Sequence, residues 1–282
     1  VGLLGLFCNA LIVCALYKSF RASTFSAFSV LCCSRAFANC GTLLCFIVYS
    51  GPVALIGHPY GPELVGRKFG HITTLTYKSV VYVQLATAFN RLIATFLPMR
   101  YREICSRKRI FILLVCVWFI ACLHSIPEFL GRSRQSIDNQ STLSDGCGYT
   151  FFYDSLSWDY LVTPCSALLG GPLLFYPSYS VFLTSILLNV VIFVKLSYHT
   201  LRNSKKMGRQ TKERHRKNVR YFIQSFLQEL MYIFEALFLQ LTRPHNRMFA
   251  FVSYSLLWES THVWDGLIVV LYRPDVRSRL PC

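Results

Sequence analysis

The segment AFNRLIATFLPMRYREI, residues 88–104, places Arg91 in a mostly apolar run beside Leu92, Ile93 and Phe96. Arg35, Lys78, Glu259, His262 and Asp265 stand inside other apolar runs in the same way. Ionisable groups in such surroundings pair with one another, line a water-filled cavity or hold a ligand. Ser255, Glu259, His262 and Gly266 recur at helical spacing, which puts them on one face. Lipid offers that face no partner, so it must look into a helix bundle. Covalent chemistry has no comparable support. No G-x-S-x-G, H-E-x-x-H or H-x-x-x-H pattern occurs, and the histidines are scattered. No nucleophile–base pair, metal cluster or cofactor site is read, and an enzyme is not expected. Cys8, Cys14, Cys32, Cys33, Cys40, Cys45, Cys116 and Cys122 lie in apolar stretches, where a thiol behaves as a small hydrophobe. There is no C-x-x-C pair to suggest a zinc ribbon or a thioredoxin-like site.

These groups need elements to position them. Of 282 residues, 54% are hydrophobic and 15% charged, against about a quarter charged in soluble domains. The mean hydropathy is +0.42. A bilayer core about 30 Å thick takes roughly 20 apolar residues as a helix. Seven segments fit: 1–17, 24–50, 71–97, 110–130, 167–195, 219–241 and 248–272. The sixth, YFIQSFLQELMYIFEALFLQL, is the least apolar. Pro52, Pro98, Pro127 and Pro244 fall at segment ends, where a missing N–H costs little. The expected fold is an all-α membrane protein, one domain over 1–282 built as a seven-helix bundle. Val1 already lies in an apolar run, with no initiator Met, basic n-region or cleavage site. A chain truncated at its N-terminus, without a signal peptide, is the expectation.

The net charge of +16 raises the question of nucleic acid, but no RNP, zinc-finger or basic-zipper pattern accompanies the basic clusters. The bilayer is the expected partner and nucleic acid is not. With the N-terminus outside, the inner connections and the tail hold 20 of the 29 basic residues and the outer connections six. The positive-inside rule therefore sets the N-terminus outside and the C-terminus inside. The sequon at Asn139 then lies in an outer connection, 131–160, as a glycosylation site. The segment SYHTLRNSKKMGRQTKERHRKNVR, 197–220, lies inside. It reads as an anionic-lipid patch, at roughly 1 kcal/mol per basic residue, or as a docking surface shared with 99–109, and the two are compatible.

Arg91 falls at the inner end of the third segment. It reads as a snorkelling arginine or as a switch contact that changes partners. Asn90-Arg91-Leu92 closing the third of seven spans, and PMRY at 98–101, resemble the DRY-type boundary of rhodopsin-like G-protein-coupled receptors. Trp118 stands in the fourth span as in many members, and THVWDGLIVVLYRPDVR at 261–277 resembles their seventh span and short amphipathic eighth helix. More narrowly, KNVRYFIQSFLQEL at 217–230 and GCGYTFFYD at 146–154 are similar to nematode chemoreceptors of serpentine receptor class x. The resemblance covers nearly the whole chain.

It implies a multi-pass plasma-membrane receptor of sensory neurons, binding a small chemosensory ligand from outside and activating a heterotrimeric G protein inside. Asn90, Arg91, Tyr101 and Arg102 would form the coupling switch. Arg35 and Asp265, both near mid-depth on helices that neighbour each other in the family, would form an intramembrane pair. Lys78 lies about 20 Å outward of Arg91 at 1.5 Å per residue, a depth where small ligands bind between receptor helices. Lys78, Tyr82, Glu259 and His262 are the candidate pocket, with a structural Lys78–Glu259 ion pair as the bland alternative. Glu229 and Glu235 are weaker pocket candidates, and Gln224 and Gln228 read as interhelical hydrogen-bonding groups.

The sequence departs from the family pattern in several places. Asn90 replaces the usual acid, and the sixth span has no proline and no CWxP. Gly266 and Val269 stand where the seventh-span NPxxY motif has proline and tyrosine. The second span has no carboxylate for the family's sodium site, and no cysteine lies between Cys45 and Cys105 for the usual disulfide. Cys147 and Cys165, both outside and 18 residues apart, are the expected alternative pair. The bland alternative is two free thiols. Cys282, after RPDVRSRL, is a palmitoylation candidate and excludes a CaaX signal. Two other functions compete. A secondary transporter could use Gly170-Gly171-Pro172 as a helix break, although no matching break stands three or four spans away. A degenerate receptor that no longer couples is the second.

Overall fold

The computed structural model describes residues 1–21, 26–59, 63–130, 148–161, 163, 168, 176–203, 209–241 and 246–278. Among these residues the helices line up as seven rods. α1 is Gly2–Arg21, α2 Ala27–Ile56, α3 Glu63–Phe96, α4 Arg107–Leu130, α5 Tyr176–Asn203 and α6 Arg209–Leu241. α7 runs through Arg247–Ala250, a π-helical turn at Phe251–Leu256 and then Leu257–Tyr272. One-turn helices at Tyr101–Ile104 and Pro274–Arg277 follow α3 and α7.

α3 crosses the middle, packed on α2, α4, α5 and α6, while α1 lies against α2 and α7. Side chains are distributed as lipid requires. Phe111, Ile112, Val115, Phe119 and Leu123 of α4 are exposed, whereas Thr73, Thr76, Ser79, Gln84 and Thr87 of α3 are buried. The hydroxyls of Thr73, Ser79 and Thr87 bond back to the carbonyls of Phe69, Leu75 and Val83 at 2.8, 2.9 and 2.7 Å. Their small, self-satisfied surfaces let neighbouring rods approach closely. By length and apolar composition, Ala27–Ile56, Arg107–Pro127 and Tyr176–Tyr198 can cross a membrane, and Gly2–Lys18 is apolar but shorter. α3, α6 and α7 are less apolar because groups such as Gln84, Gln224, Glu229 and Asp265 are buried against other rods.

Besides α3, which begins at Glu63 and not near 71, the structure differs from the sequence expectation in three places. α2 does not stop at Pro52 but continues to Ile56. A π-helical turn at Phe46–Ser50 precedes the proline and widens the helix where its ring would strike the carbonyl four residues back. Ser50 Oγ donates to the Phe46 carbonyl there at 3.1 Å. α5 extends to Asn203 and α6 starts at Arg209, so much of the basic 197–220 segment is helical. The third difference is a β-hairpin inside an otherwise α-helical fold.

β1, Tyr149–Phe152, pairs antiparallel with β2, Ser157–Tyr160, with Tyr149 opposite Tyr160 and Phe151 opposite Trp158. Aromatic pairs across the two strands favour the hairpin. It lies directly on α3. A Cβ at Gly70 would fall 1.7 Å from the Tyr149 carbonyl oxygen, so only glycine permits this approach of two backbones. Ser255, in the π turn of α7, donates to the Leu156 carbonyl at 2.7 Å. Phe46, Tyr49, Phe151, Trp158 and Trp258 fill the space beneath.

Candidate functional site

At the end of the bundle away from the hairpin, α3 delivers Asn90 and Arg91 to a cleft of about 950 Å³, with Tyr101, Arg102, Lys217 and Tyr221 in its walls. Arg91 is 5% exposed, and its Nε and Nη2 have no hydrogen-bond partner among the described residues. Aromatic rings hold its charge. The guanidinium carbon lies 4.0 Å from the ring centre of Phe28, in the first turn of α2, and 5.6 Å from that of Tyr221 on α6. These two rings are 4.7 Å apart. Arg273, just past α7, stands 5.6 Å from each of them and donates to Ser29 Oγ at 2.7 Å. Four parts of the bundle thus converge on one ring pair between two cations. Asn90 does not serve Arg91. Its Oδ1 accepts from the Tyr101 hydroxyl at 3.1 Å, and burial pushes that phenol up to about 12, so it remains a neutral donor. Arg102 is exposed at the rim.

A polar network crosses the middle of the bundle. Arg35 Nη2 on α2 lies 2.8 Å from Asp265 Oδ1 on α7. Both side chains are buried, so this is an ion pair closed off from solvent. Asp265 also accepts from Asn39 Nδ2 at 2.5 Å and from Gln228 Nε2 at 2.7 Å. Asn39 donates in addition to Asn9 Oδ1 at 3.2 Å, and Asn9 donates to the His262 carbonyl at 3.1 Å. His262 Nδ1 is 2.8 Å from Asn39 Oδ1, an oxygen that only accepts, so this nitrogen carries the proton. The network therefore ties α1, α2, α6 and α7. Gly266 makes room for it, since a Cβ there would lie 2.8 Å from Asn9 Nδ2.

Lys78, Tyr82, Glu259 and His262 do not converge. Lys78 Nζ donates to the His124 carbonyl on α4 at 3.0 Å, and the Tyr82 hydroxyl is 2.6 Å from His124 Nδ1. Glu259 accepts from the Gly2 N–H at the start of α1, and His262 belongs to the central network. None of the four is among the described residues lining the cavity under the hairpin, which measures about 140 Å³ and includes Tyr77, Trp158, Tyr179, Glu235 and Trp258 in its walls. Glu229 accepts from Asn189 on α5. Asn139, Cys147, Cys165 and Cys282 lie outside the described residues.

The sequence matches the profile of the family described as serpentine type 7TM GPCR chemoreceptor Srx over residues 1–272. The chain belongs to the Srx family. Serpentine receptor class X 45 of Caenorhabditis elegans is 22% identical to it over 302 aligned positions, covering 99% of this chain and 78% of that protein. The Srx chain is thus a helical, multi-pass membrane protein of the nematode chemoreceptor type.

Sequence reasoning missed several residues that matter in this Srx chain. Phe28, Tyr221 and Arg273 were findable, because an arginine followed by no carboxylate partner needs another host near the same span ends. The aromatic density of GYTFFYDSLSWDY, 148–160, was the available signal for the rings over the cavity.

Proposed function

We propose that this Srx chain is a G-protein-coupled chemosensory receptor of the plasma membrane. Its N-terminus and hairpin lie outside, and the Arg91 cleft opens to the cytoplasm. A small molecule entering under the hairpin favours one arrangement of the rods by its differential affinity. The cleft then receives a heterotrimeric G protein, with Asn90, Arg91, Tyr101 and Arg102 as the coupling residues and the basic stretch 197–220 beside them. On this orientation Asn139 is a glycan site and Cys147 with Cys165 closes an outer loop.

One observation carries the proposal. Arg91, at the end of the central rod, rests on rings contributed by α2 and α6 and on no carboxylate among the described residues. Cation–π contacts of this kind are worth about 0.5–2 kcal/mol, weak enough to be exchanged for a partner's acceptors. Outward movement of α6 would carry Tyr221 away and free Arg91 to face the cleft. Asp265 of α7, through Gln228 of α6, couples that movement to the central network. The test is expression with a promiscuous Gα subunit and a screen of small odorants, comparing wild type with Arg91→Ala at equal surface density. Loss of response in the variant is the expected result. A response untouched by Arg91→Ala removes the switch role, and transport of a labelled solute into vesicles would overturn the receptor reading.

A further inference from the structure

The cavity under the hairpin is walled by aromatic rings from four elements: Tyr77 on α3, Tyr149 and Trp158 on the hairpin, Tyr179 on α5 and Trp258 on α7. Tyr77 meets Trp258 edge to face at 5.8 Å and 85°, and Tyr149 meets it at 6.0 Å and 73°. In such crossed pairs the positive edge of one ring meets the electron-rich face of the other. Glu235 of α6 completes the wall. It is 4% exposed, and its Oε2 has no hydrogen-bond partner among the described residues. Asp159, exposed on β2, stands at the mouth, its Oδ1 accepting from the Tyr160 N–H at 2.7 Å. None of the described lining residues is basic, in a chain whose net charge is +16. The ionisable side chains among these lining residues, apart from tyrosines, are the two carboxyl groups.

We propose that this cavity binds a small organic cation, an ammonium group set against the Glu235 carboxylate and the faces of the surrounding tyrosine and tryptophan rings. The proposal rests on the reading of the chain as a receptor whose ligand enters under the hairpin, and it names the class of that ligand. A buried carboxylate without a countercharge is costly, and an incoming cation removes that cost. Each well-placed ring face adds roughly 2- to 30-fold in affinity for a cation. A metal ion fits poorly, because hard cations want six or more oxygens and the buried wall offers one carboxylate amid rings. An anion would meet only like charge. The volume of about 140 Å³ is well below the roughly 300–1,000 Å³ of pockets for drug-sized ligands, so the cation is small.

The full chain, solubilised in mild detergent, is melted with increasing choline, tetramethylammonium or cyclohexylammonium. 3,3-Dimethyl-1-butanol, the carbon isostere of choline, and cyclohexanol serve as neutral counterparts. At least one cation is expected to raise the melting temperature saturably, at least ~10-fold tighter than its neutral counterpart. Glu235→Gln, which keeps shape and hydrogen-bonding capacity, should erase that preference. Tyr179→Phe should retain binding, whereas Tyr179→Leu should weaken it roughly 3- to 10-fold. If Glu235→Gln fails to fold, the Tyr179 pair and the cation–neutral comparison still decide. The proposal is overturned if no cation stabilises the protein, if the neutral counterparts bind equally well, or if a folded Glu235→Gln keeps the preference. The two proposals fail separately. Cation binding without a G-protein response sinks the signalling account and leaves the site, while a response to neutral odorants without cation binding does the reverse.

Discussion

Arg91 and Phe28 form a cation–π contact with the guanidinium carbon 4.0 Å from the ring centre, and it takes the place of an ion pair at the end of α3. If this contact restrains the switch, its strength should set ligand-free signalling. Phe28→Leu keeps an apolar side chain of similar bulk and removes the face. It should raise basal second-messenger output per receptor at the surface by roughly 2- to 30-fold, corresponding to about 0.5–2 kcal/mol. Phe28→Trp, the better cation host, should lower it. Equal basal output in both variants would mean that Phe28 only fills space.

Arg35 and Asp265 belong to a different class of contact. Both are buried, and Asp265 anchors Asn39 and Gln228 as well. Removing one partner of such a pair leaves a buried charge and costs about 3–5 kcal/mol. Asp265→Ala and Arg35→Met should each lower the melting temperature of the purified protein substantially. The double variant Arg35→Met/Asp265→Leu should recover much of the loss, because no isolated charge remains. A double variant as unstable as the sum of the singles would show that the two residues are not coupled.

The rods were legible in the sequence because long apolar runs are a strong signal. Their ends were not. α2 passes Pro52 only because a π turn accommodates the ring, and nothing local in FIVYSGP announces that turn. The hairpin was hidden because its four-residue strands are short and aromatic in a segment that otherwise reads as a connection. Arg35 and Asp265 could be matched from their depth together with the helix neighbours that the family resemblance implies. Lys78 and Tyr82 could not, since the rotation of α3 about its axis decides whether they face α4 or α7, and the apolar pattern of a rod buried on most sides leaves that rotation undetermined. Arg273 escaped notice because its partners, Ser29 and the Phe28–Tyr221 pair, come from α2 and α6, both remote in sequence.

Gly70 controls how the hairpin sits. A methyl group at this position would collide with the Tyr149 carbonyl oxygen, and backbone cannot rotate away as a side chain can. Gly70→Ala should therefore lift β1 off α3, disturb the ring contacts of Tyr149 with Trp158 and Trp258, and expose Trp158, which is 1% exposed. Faster amide exchange across 149–160 and a red-shifted tryptophan emission are the expected signatures. Gly266→Ala acts at the other layer, where Asn9 is the neighbour. It should lower the melting temperature by disrupting the Asn9–Asn39 contact while leaving exchange in the hairpin unchanged.

Arg91 can meet a G protein only if its end of the bundle faces the cytosol, and charge supplies a physical reason for that orientation. On the seven-span reading of the sequence, 20 of the 29 basic residues belong to the connections and tail on the Arg91 side, and moving them across the bilayer during insertion would oppose the positive-inside bias. The hairpin end should then pass through an oxidising, glycosylating lumen. Treatment of the expressed protein with an N-glycosidase should shift its electrophoretic mobility, and Asn139→Gln should abolish the shift. Protease added to sealed right-side-out cells should cleave within 131–147 and spare 197–220, with the reverse pattern in inverted vesicles. Cleavage of the basic segment in intact cells would put Arg91 outside, where no G protein could reach it.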